Sequence, residues 1–246
     1  MQYLFLLILT VCHSAYAQTV TFKEIRLMPN PKFYKSKTPS VIYPLVVTNN
    51  KTVDRLINNK IMAEVVGEDV VKLRQELTER ISDGYLTDMG YQVTYKKNGI
   101  LSLTINSEGC GAYCSTGYNY LNFDIKTGKS LPIEDLICED MLDSLKKIVF
   151  ADKVKALNKY KEEERNSSDG NIDSVTINWA IEHVDENCIG TIQLDNFTLS
   201  DLGIEIMDRC EFPHAIRSQE PIYELKYPYN FIAMFLKPKY RFLISK

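Results

Sequence analysis

The chain has little of what nucleic-acid-binding and membrane-spanning proteins usually carry. Its 246 residues include 29 basic and 32 acidic side chains, for a net charge of −3, and no dense basic tract interleaved with aromatic residues. Neither a nucleic acid nor an anionic membrane surface is therefore predicted as a partner. Beyond the amino-terminal segment no apolar run reaches the ~20 residues of a membrane-spanning helix, so we expect no transmembrane segment in the mature chain.

Recognised catalytic and metal-binding patterns are also missing. There is no G-x-S-x-G nucleophile elbow, and His183 and His214 are the only histidines after the amino-terminal segment. The run Glu182–Glu186 contains one of the two histidines that a metalloprotease helix needs, so we predict a solvated turn there. Sequence spacing cannot identify a pair of glycosidase carboxylates, because their separation in space is what counts. No catalytic residue, metal ion or cofactor is predicted.

The first seventeen residues are typical of an export signal. They carry no charged side chain, are apolar over residues 3–11, and end in Ala15-Tyr16-Ala17, the small-x-small pattern that signal peptidase accepts. We expect residues 1–17 to be removed, which places the protein in the periplasm or outside the cell. A lipid anchor on Cys12 is the second alternative, although Val11 is bulky where a small residue belongs.

Five cysteines remain after signal cleavage, so at least one thiol stays unpaired; they are Cys110, Cys114, Cys138, Cys188 and Cys210. Disulfides persist in exported proteins, whereas a zinc site would need a second close pair of ligands. We predict that Cys110 bonds to Cys114, because a glycine-rich loop between two strands can bring them to the ~5.5 Å Cα separation that a disulfide prefers. A redox role is the alternative, at a spacing longer than the usual one.

The spacing of apolar residues predicts a mixture of strands and helices. Asn98-Gly99, between two alternating runs, is the clearest hairpin signal. Residues 161–171 are charged and predict an exposed loop. Strands are predicted near 20–27, 41–47, 91–95, 101–105, 118–125, 189–199, 202–207 and 222–227, and helices near 53–81, 132–160 and 175–184. We therefore predict an α+β fold with a mainly antiparallel sheet packed by amphipathic helices, as one domain over 18–246 or as two halves meeting near 161–171.

The predicted strand near 118–125 carries the predicted binding surface. Alternation sends Leu121 and Phe123 to one face of the sheet and Tyr118 and Tyr120 to the other. A small-residue loop over 109–117 precedes the strand, and loops held by a rigid sheet often carry function. The predicted ligand-binding residues are Tyr113, Tyr118, Tyr120 and Asp124. The alternative is that these tyrosines are exposed strand residues that pair across the sheet.

Several motifs match a known family. Within 91–137 they are "NGILSL", the Gly/Ala-rich loop and "Y-x-NFD-x-x-TGK-x-L-x-x-x-DL", and segments at 40–44 and 197–206 look like further parts of the same domain. The chain thus resembles the extracytoplasmic domain shared by PdaC-type peptidoglycan deacetylases and RsiV-type anti-sigma factors.

The resemblance implies an envelope binding module, with a protein such as lysozyme or a peptidoglycan-type glycan as ligand. The alternative is an enzyme or an enzyme accessory domain acting on cell-wall glycan. Since the deacetylase domain with its Asp and paired His ligands is not found in this sequence, binding is the preferred interpretation.

Overall fold

The computed structural model describes residues 19–32, 37–110, 113–166, 173–190 and 192–244. The predicted signal peptide and Cys12 lie outside these residues. The described strands are β1 Thr21–Leu27, β2 Val41–Val47, β3 Asp88–Lys97, β4 Ile100–Cys110, β5 Cys114–Asp124, β6 Lys129–Ser130, β7 Phe197–Leu199, β8 Gly203–Ile206 and β9 Leu225–Pro228. The helices are α1 Lys51–Val65, α2 Leu73–Ser82, α3 Ile133–Leu136, α4 Leu142–Asn166, α5 Ser174–His183 and α6 Tyr229–Ile232. The predicted α+β class is confirmed, and no described helix is long and apolar enough to cross a membrane.

A six-stranded sheet in the order β1-β2-β3-β4-β5-β6 forms the first layer. Its neighbouring strands are antiparallel except for the short β2–β3 pairing. Asn50 caps the start of helix α1, and its side-chain oxygen accepts hydrogen bonds from the backbone N–H groups of Thr52 and Val53. Val53, Ile57 and Ile61 follow at a spacing of four, and their burial fixes α1 on one face of the sheet.

The β3–β4 hairpin confirms the turn predicted at Asn98-Gly99. Both residues have positive φ, 55° and 81°, as a two-residue type I′ turn requires. The next hairpin corrects a prediction, because residues 109 and 110 belong to β4 and residues 114–117 belong to β5. Pairing continues without a break from Ile100–Asp124 to Cys110–Cys114, so only residues 111–113 lie between the strands.

The second layer is an antiparallel sheet in the order β7-β8-β9. Strand β7 lies across β4 and β5, where the Leu199 N–H donates to Ser102 Oγ at 3.0 Å and Asn122 Nδ2 donates to the Phe197 carbonyl at 2.9 Å. The face of β5 that carries Tyr118, Tyr120 and Asn122 is thus covered at Asn122. This face of β5 is therefore exposed only in part.

Helix α4 extends to Asn166, so the loop predicted from residue 161 begins too early; residues 167–172 lie outside the described residues. The reason is a buried stripe of side chains at a spacing of four, formed by Leu145, Val149, Lys153, Leu157 and Lys161. Lys161 reaches Asp185 with an Nζ–Oδ1 distance of 2.5 Å. This cross-helix contact holds the carboxyl-terminal turns of α4 in place.

Candidate binding groove

Tyr118 and Tyr120 form an aromatic pair near the amino-terminal end of β5, where residues 114–118 are exposed. We call this the open end of β5. Their ring centroids are 6.3 Å apart and their planes differ by 6°. The alternation of a strand sends both side chains to the same face, which explains the parallel rings. Tyr118 is 45% exposed, whereas Tyr120 is partly buried, and this burial raises the pKa of the Tyr120 hydroxyl above its ordinary value. One ring is thus open to a ligand and the other is held in the wall behind it.

A cationic side chain completes the aromatic pair. The Arg209 guanidinium carbon lies 5.2 Å from the Tyr118 ring centroid, within cation–π range. Arg209 also donates to Glu220 at 2.9 Å, so its planar head is held between a ring and a carboxylate. This arrangement orders the exposed face of Tyr118.

Three depressions meet at Tyr120. One of about 370 Å³ is lined mainly by polar groups, another of about 300 Å³ lies between the tyrosines and residues 220–223, and a third of about 350 Å³ lies beside Asn119 and Asn122. We call the surface around these depressions the tyrosine groove; its polar part is lined by Thr116, Tyr118, Tyr120, Asn187, Gln193, Asn196, Asp208 and Arg209. Amide, hydroxyl and aromatic groups dominate it, a composition suited to orienting a polar ligand.

The floor of the tyrosine groove contains a buried ion pair. Lys153 Nζ lies 2.9 Å from Asp208 Oδ2, with side-chain exposures of 6% and 13%. The Tyr223 hydroxyl donates to the same carboxylate oxygen at 2.5 Å. Burial, and then the hydrogen bond to Asp208, raise the pKa of Tyr223 well above its ordinary value. Tyr223 therefore stays neutral and remains a hydrogen-bond donor at physiological pH.

The predicted ligand-binding residues occupy three separate places. The structure brings Tyr118 and Tyr120 together in the groove. Tyr113 lies at the tip of the β4–β5 hairpin, where its ring is 3.9 Å from the ring of His214. Asp124 lies at the other end of β5, six residues and ~20 Å from Tyr118, and its Oδ1 accepts from the Lys126 N–H in a turn. A ligand role for each of the four stays a prediction.

The structure contains the predicted Cys110–Cys114 disulfide, with a Cα–Cα distance of 3.9 Å. These residues are direct partners in the β4–β5 register, so the strand ladder rather than a separate loop brings them together. A second disulfide joins Cys188 to Cys210, a pairing that the sequence left open. Cys138 is the unpaired cysteine among the described residues.

His183 lies beside the second disulfide, and its Nε2 is 3.0 Å from the Glu211 carbonyl oxygen. The run Glu182–Glu186 is not the predicted solvated turn. Helix α5 reaches His183, and a π-helical turn continues to Cys188. The two sulfur atoms near His183 are bonded to each other, which leaves the imidazole as a hydrogen-bonding group packed against Phe212.

Sequence reasoning missed the polar residues of the groove that come from outside β5. One signal was present for Lys153, which follows Val149 by four residues on the apolar stripe of α4. A lysine at such a position is buried only with a partner. Asn187, Asn196 and Arg209 carry no comparable signal, because only the tertiary fold brings them to β5.

Comparison with known proteins identifies the fold. No family model matches the sequence, and no curated protein matches it. A solved structure of a DUF3298 family member from Bacteroides fragilis NCTC 9343 is similar with a TM-score of 0.58 and 17% identity, over 94% of this chain and 98% of that chain. A DUF3298 family protein from Pseudomonas aeruginosa PAO1 is similar with a TM-score of 0.52 and 12% identity, over 90% and 95% of the two chains. The chain therefore has the fold of these DUF3298 proteins along nearly its whole length.

Proposed function

We propose that this protein is an exported binding module of the cell envelope and that its ligand lies in the tyrosine groove. The observation that carries the proposal is the parallel Tyr118–Tyr120 pair, open on one side and surrounded by amide groups. Tyrosine combines an apolar ring with a polar hydroxyl and is enriched at binding surfaces. Two disulfides are compatible with a location outside the cytoplasm.

The ligand class follows from the sequence resemblance described above. It favours a protein such as lysozyme or a peptidoglycan-type glycan, because PdaC-type and RsiV-type proteins act at the cell envelope. Both kinds of ligand carry polar groups that the amides of the groove can orient.

Two of the acids around the groove, Asp208 and Glu220, are better placed for binding than for catalysis. Asp208 is paired with Lys153 and also accepts from Tyr223, and Glu220 is paired with Arg209. A general acid or nucleophile must be available to the substrate. Carboxylates already engaged with cations are better suited to holding the walls of a groove.

Titration calorimetry with lysozyme and with soluble peptidoglycan fragments tests the proposal. We expect Tyr118→Ala and Tyr120→Ala each to weaken binding of the true ligand by about 1–2 kcal/mol, because a few central aromatic residues dominate interfaces. The control is Tyr85→Ala, which removes a tyrosine that is 67% exposed and lies outside the groove. Unchanged affinity in both groove variants, together with lower melting temperatures, would remove these tyrosines from the site.

A further inference from the structure

The exposed edge of β5 offers backbone groups as well as tyrosine side chains. We propose that the outward-facing N–H and C=O groups of Thr116, Tyr118 and Tyr120 bind an extended segment of a partner polypeptide as an added β-strand. This inference rests on the proposed function, because it names the partner of the same groove. The partner is thereby a protein that presents an extended chain.

The hydrogen bonds at both ends of β5 show which residues face outward. The Ile125 N–H donates to the Gly99 carbonyl on the β4 side at 2.9 Å, so odd-numbered residues pair with β4. The Asn122 carbonyl accepts from Leu131 N–H at 2.8 Å on the opposite side, and the Cys114 carbonyl accepts from Arg217 Nη1 at 3.1 Å. Even-numbered residues therefore face away from β4, as the alternation of an antiparallel ladder requires.

Three consecutive outward positions lie between these two ends. Within the described ranges, no hydrogen bond joins the outward backbone groups of Thr116, Tyr118 and Tyr120 to another residue. Strand β6 covers only the last part of β5, where it pairs with Phe123 and Asp124. An added strand would continue the sheet edge that β6 begins.

The two edges of the six-stranded sheet are protected differently. The outer strand β1 carries Lys23, Glu24 and Arg26 within seven residues, with an ion pair between Glu24 and Arg26. Charged side chains on an edge strand deter pairing with another chain. The segment of β5 from Cys114 to Asn122 has no charged residue. Charged side chains thus disfavour strand pairing at β1, whereas the exposed part of β5 has none that would prevent it.

The shape beside β5 suits an extended chain. Depressions of about 350 and 370 Å³ share Tyr120 and Asn196 and follow this edge from Asn122 to Thr116. Successive outward residues of a strand lie ~6.6 Å apart, and each offers one donor and one acceptor. An extended polypeptide repeats that spacing with complementary groups, which is how exposed sheet edges recognise peptides.

Proline substitution tests the backbone contribution directly. Thr116→Pro removes one outward N–H group while leaving the bonds to β4 intact, because the inward donors belong to the odd-numbered residues. Thr116→Ala is the matched control, since it removes the same side chain and keeps the N–H. Thr116→Lys places a charged side chain on this edge, as Lys23 and Arg26 do on β1. It provides a second variant if the proline disturbs folding.

The probe is a phage-displayed library of random peptides of about twelve residues, selected on the mature wild-type protein. We expect selected peptides to bind Thr116→Pro and Thr116→Lys at least about tenfold more weakly than they bind Thr116→Ala, so that loss of the Thr116 side chain alone does not account for the change. Amide hydrogen exchange at Thr116, Tyr118 and Tyr120 should slow when a selected peptide binds.

Two results would overturn the added strand. One is failure to select any peptide with a Kd below about 100 μM, or equal binding of the selected peptides to all three Thr116 variants. The other is slowed exchange at the three amides that appears only as protein concentration rises, which would assign the edge to a second copy of this chain. Lysozyme or glycan binding that needs the groove tyrosines but tolerates Thr116→Pro would leave the proposed function standing without the strand.

Discussion

The two ends of β5 have different environments although they belong to one continuous strand. At one end, Leu121, Asn122 and Phe123 are buried between α1 and the β7-β8-β9 sheet. At the other end, residues 114–118 are exposed. The difference lies in the neighbours, because α1 and β7 reach only one end. A single strand can therefore serve as core and as binding surface.

The largest loss of folding stability is expected from a substitution at the buried end of β5. Phe123→Ala should lower the free energy of unfolding by about 3–5 kcal/mol, because it removes a fully buried aromatic ring and leaves a cavity. Urea unfolding followed by circular dichroism measures the loss. Tyr118→Ala is the matched change at the open end and should cost less than about 1 kcal/mol. Equal losses in the two variants would contradict the contrast between the ends.

A somewhat smaller loss of stability is expected from breaking the Lys153–Asp208 ion pair in the floor of the tyrosine groove. Asp208→Asn leaves the Lys153 ammonium buried without its counter-charge and should destabilise the protein by about 3 kcal/mol. Adding Lys153→Met to this variant removes the unpaired charge and should restore part of the stability. Thermal unfolding of the single and double variants provides the comparison. If the double variant is no more stable than Asp208→Asn, the loss does not come from the unpaired lysine.

Local sequence patterns predicted much of the difference between the two ends of β5, whereas contacts between residues distant in sequence determine the remainder. The turn at Asn98-Gly99 and the alternation along β5 depend on neighbouring residues, so the sequence revealed both. The burial of Asn122 depends on Phe197, 75 positions away, and no local pattern predicts that contact. Lys153 and Asp208 are similarly remote in sequence. The positions of Tyr118 and Tyr120 on one face were therefore predictable, whereas the pairing of Lys153 with Asp208 in the floor was not.

A smaller loss of stability than that of Asp208→Asn is expected from removing the disulfide at the open end. Replacing Cys110 and Cys114 by Ser opens a loop with a sequence separation of 4, and in the chain-entropy model so short a loop contributes about 2 kcal/mol. Because β4 and β5 stay paired beyond the disulfide, we expect local fraying of the hairpin tip rather than general unfolding.

Amide hydrogen exchange resolves where the loss of this disulfide acts. Exchange should accelerate at residues 113–117 and stay unchanged around Phe123, because the buried end is held by α1 and β7. The control is Cys138→Ser, which changes a cysteine that forms no disulfide. Faster exchange that reaches Phe123 to the same extent as the tip would show that the two ends of β5 unfold as one unit, and the separation of core from binding surface along this strand would then be wrong.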